Sequence, residues 1–137
     1  MTSNFLFAYG TLRQEFPLEI NQQLASHIRL AGEGYFIGRL FDVNHYPGAI
    51  ENTPQGYPIL GEIYEILDSE KAFALLDDYE QCTEQYPQPH EYIRKTIRIF
   101  TEQNETLQAW VYLYNYNTEG LVEIINGDYL SFARQSN

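Results

Sequence analysis

Two short stretches of the sequence carry residue types that could bind and transform a small molecule. The first is FLFAYGTLR, residues 5–13, in which an apolar run ends at a Gly-Thr pair. Consecutive backbone N–H groups after a strand can bind an anion or a carbonyl oxygen, and glycine permits the close approach that such binding requires. An ordinary strand-ending turn would produce the same pattern. The phosphate-binding pattern GxxxxGK(S/T) does not occur in the chain, so nothing in this stretch indicates a nucleotide.

The second stretch is SEKAFALLDDYE, residues 69–80, which has the periodicity of an amphipathic helix. Ser69 is the expected N-cap. The apolar stripe consists of Ala72, Phe73, Leu76 and Tyr79. On a helical wheel Glu80 falls at the edge of this stripe, whereas Asp78 points toward water. Partial burial and the negative end of the helix would raise the pKa of Glu80 and suit it to general base catalysis. The alternative is a helix that frays before Glu80 and leaves its carboxylate solvated.

Histidine and cysteine are sparse in this chain. His27, His45 and His90 lie in a predicted helix and two predicted loops, without the spacing of metal ligands. The single cysteine, Cys82, has no adjacent His or Asn in the sequence, which disfavours a nucleophilic thiol. A lone cysteine also forms no internal disulfide and fits a reducing compartment. We therefore expect no metal site.

The charge of the chain narrows the class of partner. Its 137 residues include 8 basic and 19 acidic ones, which gives a net charge of −11. Such a charge repels phosphate backbones and anionic lipid, so a small or cationic partner is favoured over nucleic acid or a membrane surface. No apolar stretch approaches the roughly 20 residues of a membrane span, and the first residues, MTSNFLFAYG, lack the pattern of a signal peptide. These features predict a soluble cytoplasmic protein.

Hydrophobic periodicity predicts more strands than helices. Strands are expected over residues 4–9, 34–43, 60–67, 92–100 and 106–114, the last two joined as a hairpin, and helices over 18–28 and 69–80. The proline- and glycine-rich residues 44–60 predict a surface loop. No repeat or linker divides the chain. We therefore predict one α+β domain over residues 1–137, with a mostly antiparallel, barrel-like mixed sheet and flanking helices.

Several motifs together resemble one known family. FAYGTLR, LDDYEQ and the later YIRKTIRI are similar to segments of the gamma-glutamylcyclotransferase-like superfamily. The YGTL form resembles its gamma-glutamylamine cyclotransferase and avirulence-induced-gene-like branch, as do GRLFDVNHYPGAI and GEIYEI. INGDYLSFA is similar to the closing segment of the family. The resemblance runs in order over about residues 5–131. It implies the family's barrel-like α+β fold.

The resemblance also implies an activity and a site. A cyclotransferase converts a gamma-glutamyl amine or amide into 5-oxoproline and a free amine, without a metal or a cofactor. By resemblance, Tyr9, Gly10, Thr11 and Leu12 form a substrate cradle, and Glu80 faces it as the general acid and base. A non-catalytic module that binds gamma-glutamyl or related acidic metabolites is the alternative. A third class is an interaction protein that uses its acidic surface.

Three further residues are candidates for holding the carboxylate of the substrate. They are Arg39, Tyr92 and Arg94, of which the last two share one face of the predicted strand 92–100 with Arg98. An exposed polar face is the alternative interpretation for Arg94 and Arg98. The connection over residues 81–91 is longer than we expect in many relatives. The identity of the leaving amine is therefore not predicted. The oligomeric state is open as well.

Overall fold

Seven strands form one closed sheet in the described part of the chain. The computed structural model describes residues 4–9, 18–51 and 54–135. The strands are β1 (Phe5–Ala8), β2 (Ile28–Asp42), β3 (Pro47–Glu51), β4 (Tyr57–Ile66), β5 (Tyr92–Thr101), β6 (Thr106–Tyr114) and β7 (Val122–Glu123). The helices are α1 (Leu18–Leu24), α2 (Ser69–Tyr79) and α3 (Tyr129–Gln135).

The strand pairing closes the sheet into a barrel. The order is β3-β2-β4-β1-β6-β5, and β2 pairs with β5 as well, while β7 adds to β2. All described pairings are antiparallel except β1 with β6, where Leu6 is aligned with Trp110. The predicted α+β fold with a mostly antiparallel, barrel-like mixed sheet and flanking helices is therefore confirmed. The prediction of one domain over residues 1–137 extends beyond the described residues.

β1 separates the two main apolar layers. Phe7 belongs to the cluster inside the barrel, whereas Leu6 belongs to the cluster beneath α1 and α2. Both side chains are almost fully inaccessible. A strand that is covered on both faces needs apolar residues at successive positions, which explains why FLFA shows no alternation. The predicted central strand over residues 4–9 is confirmed, although β1 itself spans only Phe5–Ala8.

The beginning of α2 differs from the prediction by one residue. Asp68, not Ser69, is the N-cap: its backbone is extended, and its Oδ1 accepts the N–H of Lys71 at 3.2 Å. Ser69 is instead the first helical residue. The buried face of α2 presents Ala72 and Leu76 to the outer surface of the barrel. This packing fixes the end of the helix, and hence residue 80, relative to the sheet.

The other expected helix, residues 18–28, is shorter than predicted. α1 ends at Leu24, and β2 already begins at Ile28, where it pairs with Ile66 of β4. The backbone of His27 accepts N–H groups from residues 67 and 68. The pairing partner for this segment lies about 40 residues away, so local periodicity could not show the change from helix to strand.

The predicted loop over residues 44–60 contains β3 and the first part of β4. Asn44 and His45 have φ angles of 52° and 71°, and the backbones of Val43 and Tyr46 bond to each other across them. Two central residues with positive φ form the tight hairpin turn that matches strand twist. β3 therefore folds back along β2, and Tyr46 is placed beside the end of α2.

The last two described elements, β7 and α3, were not predicted. β7 is only two residues long and pairs with β2. α3 places Tyr129 and Leu130 in buried positions. None of the three described helices, α1, α2 and α3, is long and apolar enough to cross a membrane.

Candidate active site

Glu80 occupies the C-cap of α2. Its N–H donates to the carbonyl of Leu76 at 2.9 Å, so the final turn is intact. The next residue, Gln81, has a φ of 59° and leaves the helix in the left-handed conformation that often ends helices. The helix therefore does not fray before Glu80, and the carboxylate is half-buried. Asp78 is exposed, as the helical wheel predicts.

Tyrosine side chains surround the Glu80 carboxylate. The hydroxyl of Tyr46 donates to Oε1 of Glu80. The Tyr46 ring meets the Tyr92 ring edge-on, with centroids 5.5 Å apart, and lies 6.4 Å from the Tyr79 ring. Tyr92 is buried, and its hydroxyl donates to the carbonyl of Pro47 at 2.8 Å. The hairpin turn, the helix end and β5 therefore hold Glu80 between them.

The electrostatic environment raises the pKa of Glu80 to about 7. Burial is the main cause, and the negative charges of Glu91 and Asp77 add to it, while the hydrogen bond from Tyr46 acts in the opposite direction. A buried carboxylate prefers its neutral form because its charge loses hydration. Near neutral pH both protonation states of Glu80 are populated. Such a group can accept a proton and later return it.

Glu80 opens onto a cavity of about 300 Å³. The described residues that line it are Val43, Asn44, Tyr46, Tyr79, Glu80, Gln81, Glu91 and Tyr92. The structure thus brings together two of the residues singled out in the sequence, Glu80 and Tyr92. Tyr46 and Glu91 were missed as site residues. The Asn-His pair before Tyr46 could have indicated a tight turn at this point, because both residue types tolerate positive φ.

Tyr9 stands at the end of β1, buried against the sheet. Its hydroxyl donates to the carbonyl of Tyr112 at 2.5 Å and accepts the N–H of Ala49 at 3.3 Å. Burial, followed by the charge of Glu80, raises the pKa of Tyr9 above its usual value. Tyr9 therefore fixes the start of the predicted cradle to β3 and β6. Gly10, Thr11 and Leu12 lie outside the described residues, and their role stays a prediction.

Arg39 is paired with a carboxylate away from the Glu80 cavity. Its Nε and Nη2 each lie 2.8 Å from an oxygen of Glu123, and the hydroxyl of Tyr57 also donates to Glu123 at 2.9 Å. This arrangement ties β2 to β7. Arg39 is not part of the described cavity lining, so the structure does not bring it together with Glu80.

Arg94 is also paired with a carboxylate outside the Glu80 cavity. It lies on the face of β5 that α2 covers. Its guanidinium donates to both oxygens of Asp77, at 2.9 and 3.2 Å. It also lies 3.9 Å from the ring centroid of Phe73 and 4.5 Å from that of Trp110. The hydroxyl of Tyr112 donates to the same carboxylate at 2.6 Å. Arg94 therefore fastens α2 to the sheet, and it does not line the Glu80 cavity.

The thiol of Cys82 lies beside the carboxylate of Asp77. Burial, together with the charge of Asp77, raises the pKa of Cys82 to about 12. The thiol is therefore protonated near neutral pH and is a poor nucleophile. Within residues 4–9, 18–51 and 54–135, no three His, Cys, Asp or Glu side chains are grouped so that they could hold a metal ion.

Comparison with known proteins identifies the family. The family model of gamma-glutamyl cyclotransferase, AIG2-like proteins matches residues 6–131. The chain belongs to this family, and the resemblance seen in its motifs is confirmed.

Individual relatives are similar over most of their length. A Methanocaldococcus jannaschii protein, named as a candidate gamma-glutamylcyclotransferase, is 30% identical over 135 residues, which cover 93% of this chain and 97% of that protein. The Escherichia coli gamma-glutamylcyclotransferase family protein YtfP is 29% identical, and its solution structure has a TM-score of 0.63 over 93% of this chain and 97% of that one. The crystal structure of a mouse AIG2-like protein has a TM-score of 0.64 at 24% identity, over 85% and 90% of the two chains, which shows the shared fold.

Proposed function

We propose that this protein is an enzyme that converts a gamma-glutamyl amine or amide into 5-oxoproline and a free amine, with Glu80 as the general acid and base. The observation that carries the proposal is the Glu80 carboxylate, half-buried at a cavity and with a pKa of about 7. The names of two relatives, one a candidate gamma-glutamylcyclotransferase and the other a gamma-glutamylcyclotransferase family protein, support a gamma-glutamyl substrate.

The reaction joins two groups of one substrate molecule. The alpha-amine of the glutamyl group attacks the gamma-carbonyl carbon, which forms the ring C–N bond, and the bond to the leaving nitrogen then breaks. Because nucleophile and electrophile are already linked, the enzyme gains most by holding the chain in its cyclising conformation. The chemistry requires neither a covalent enzyme intermediate nor a redox step.

Glu80 fits the proton transfers that this reaction needs. The alpha-amine arrives as an ammonium group and ends as a lactam nitrogen with one hydrogen, so it gives up two protons. Both end on the leaving amine, which departs as an ammonium ion. A single carboxylate that accepts from one nitrogen and delivers to the other accounts for this transfer. The hydroxyl of Tyr46 would hold Glu80 in position, because it donates to Oε1 and leaves the other oxygen available.

The cradle after β1 would supply the other contacts with the substrate that the reaction needs. We include Tyr9, Gly10, Thr11 and Leu12 in the proposed site as the source of backbone N–H groups for the developing oxyanion. Tyr92 contributes to the cavity wall. Arg39 and Arg94 stay predictions as ligands of the substrate carboxylate, and the proposal does not depend on them because each is already paired with a carboxylate.

The direct experiment is incubation of the protein with a panel of gamma-glutamyl amines, followed by detection of 5-oxoproline by mass spectrometry. Product from at least one member, at a rate above that of the buffer, is expected. Tight binding of panel members without product from any of them would contradict an enzyme and favour the binding module. The absence of both binding and turnover would favour an interaction protein.

A further inference from the structure

Asp77 lies in the last turn of α2, just before Glu80, and accepts hydrogen bonds from the sheet beneath it. Arg94 of β5 donates to both of its oxygens, at 2.9 and 3.2 Å. The hydroxyl of Tyr112 in β6 donates to its Oδ1 at 2.6 Å. The Asp77 side chain is 19% exposed, so these bonds lie mostly out of water. Asp77 therefore joins the end of α2 to two neighbouring strands at once.

Tyr112 connects this contact with the other half of the proposed site. It is buried, and its side chain belongs to the apolar cluster beneath α1 and α2. Its hydroxyl reaches Asp77, while its backbone carbonyl accepts the hydroxyl of Tyr9 at 2.5 Å. Tyr9 is the first residue of the proposed cradle. A single residue of β6 therefore holds both the helix end that carries Glu80 and the strand end that carries the cradle.

The neighbouring carboxylate, Asp78, is held by a different part of the chain. Its Oδ1 accepts hydrogen bonds from the side-chain amide of Gln85 and from the hydroxyl of Tyr86, each at 2.9 Å. Both donors belong to the connection over residues 81–91. Asp77 and Asp78 thus carry the same charge at adjacent positions of α2, but of the two it is Asp77 whose described partners lie in the barrel.

The charge of Asp77 also acts on Glu80. Burial is the main cause of the raised pKa of Glu80, and the charges of Glu91 and Asp77 add to it. The titratable groups around Glu80 are Tyr9 of β1, Tyr46 of the hairpin turn, Tyr92 of β5, Cys82 and Glu91 of the connection, and Asp77 and Tyr79 of α2. Tyrosine and a buried thiol are neutral near pH 7. Glu91 and Asp77 are therefore the charged groups of this set.

We propose that Asp77 is a positioning residue of the reaction: through its bond with Tyr112 it sets the distance and orientation of Glu80 relative to the cradle that begins at Tyr9. This inference rests on the proposed cyclotransferase function. Asp77 does not belong to the described lining of the Glu80 cavity, so it acts through Glu80 and not on the substrate. Because the carboxylate must reach two nitrogen atoms of one substrate in turn, a small displacement of it slows the reaction.

The variant Tyr112→Phe tests the positioning role. It removes the hydroxyl that reaches Asp77 and leaves the carbonyl that accepts from Tyr9. With a gamma-glutamyl amine that the wild-type protein converts, kcat should fall about 10-fold or more, and KM should change little because the described cavity lining is unaltered. Tyr86→Phe is the matched control, since it removes a hydroxyl that donates to Asp78 on the same helix. It should keep the wild-type kcat. Circular dichroism verifies that both variants are folded in the assay.

A double-variant cycle tests whether Asp77 and Tyr112 act together. Asp77→Asn should lower kcat at least as much as Tyr112→Phe does. The double variant should lose little more than Asp77→Asn alone, because both substitutions disturb the same hydrogen bond.

The titration of Glu80 gives a readout that needs no substrate. It is followed by carbon-13 NMR of the glutamate carboxyl groups, with the Glu80 signal assigned from Glu80→Gln. Asp77→Asn removes a negative neighbour and should lower the pKa of Glu80 by roughly one unit. Asp78→Asn removes the same charge at the adjacent, exposed position and should leave the titration unchanged.

The outcomes separate this inference from the proposed function. Turnover by Tyr112→Phe at the wild-type kcat would refute the inference alone, as would equal losses in Tyr112→Phe and Tyr86→Phe. Losses that multiply in the double variant would show two independent effects and contradict it. An unchanged titration of Glu80 in Asp77→Asn would also contradict it. No product from the wild-type protein with any gamma-glutamyl amine of the panel would refute the proposed function, and the inference with it.

Discussion

Replacing Glu80 by Gln should change how the stability of the protein depends on pH. The pKa of Glu80 is raised from its ordinary value of 4.5 to about 7 in the folded chain. The folded state therefore binds this proton more tightly than the unfolded state does. The resulting stabilisation is fully present below about pH 4.5 and is lost as the pH rises through about 7.

The size of the effect follows from the two pKa values. At about 1.4 kcal/mol for each pH unit between them, ionising Glu80 in its half-buried position costs roughly 3 kcal/mol of folding free energy. Gln has nearly the same size as Glu and can accept the hydrogen bond from Tyr46, but it carries no charge. Glu80→Gln should therefore be more stable than the wild-type protein at pH 9, and the gap should widen by roughly 2–3 kcal/mol between pH 5 and pH 9.

Urea unfolding at several pH values, followed by tryptophan fluorescence, measures this gap. Glu70→Gln is the matched control, because Glu70 lies exposed in the first turn of the same helix. The control should differ from the wild-type protein by a nearly constant amount across the pH range. Parallel stability curves for Glu80→Gln and the wild-type protein would refute the raised pKa of Glu80 and the reasoning built on it.

Two further substitutions act on the surroundings of Glu80. Tyr46→Phe removes the hydrogen bond that favours the charged form, so the pH at which kcat/KM reaches half its maximum should rise by about one unit or more; a pH–rate profile with an unchanged midpoint would contradict this. Arg94→Met leaves the charge of Asp77 uncompensated under α2, so urea unfolding at pH 7 should show a loss of roughly 2–3 kcal/mol. A loss below about 0.5 kcal/mol would place this pair with ordinary surface ion pairs.

The elements of the fold that depend on local hydrophobic pattern could be predicted from the sequence. Successive apolar residues identified β1, alternation identified β5 and β6, and helical periodicity identified α2. The position of Glu80 at the edge of the buried helix face followed from the same periodicity. In each case the hydrophobic pattern spans no more than about a dozen residues. Packing against neighbouring elements then stabilises the same strand or helix that the pattern predicts.

The surroundings of Glu80 could not be derived in this way. Tyr46 and Glu80 are 34 residues apart, and only the packing of the hairpin turn against the end of α2 brings them together. Alternation correctly placed Arg94 on the polar side of β5, but it could not show that α2 covers that side and supplies Asp77 as a partner. The pattern of a single strand shows which residues share a face, whereas the element that covers this face is determined by the whole fold.

The central claim is that Glu80 transfers protons during conversion of a gamma-glutamyl amine to 5-oxoproline. Its most direct test is the turnover of Glu80→Gln on a substrate that the wild-type protein converts, measured at pH 8 beside Glu70→Gln. We predict a fall in kcat of roughly 10²–10⁴-fold or more for Glu80→Gln and almost none for Glu70→Gln, while Glu80→Gln remains folded and is the more stable protein. Equal turnover by Glu80→Gln and the wild-type protein would remove Glu80 from the mechanism. A loss of turnover together with a large fall in Tm would show that its role is structural.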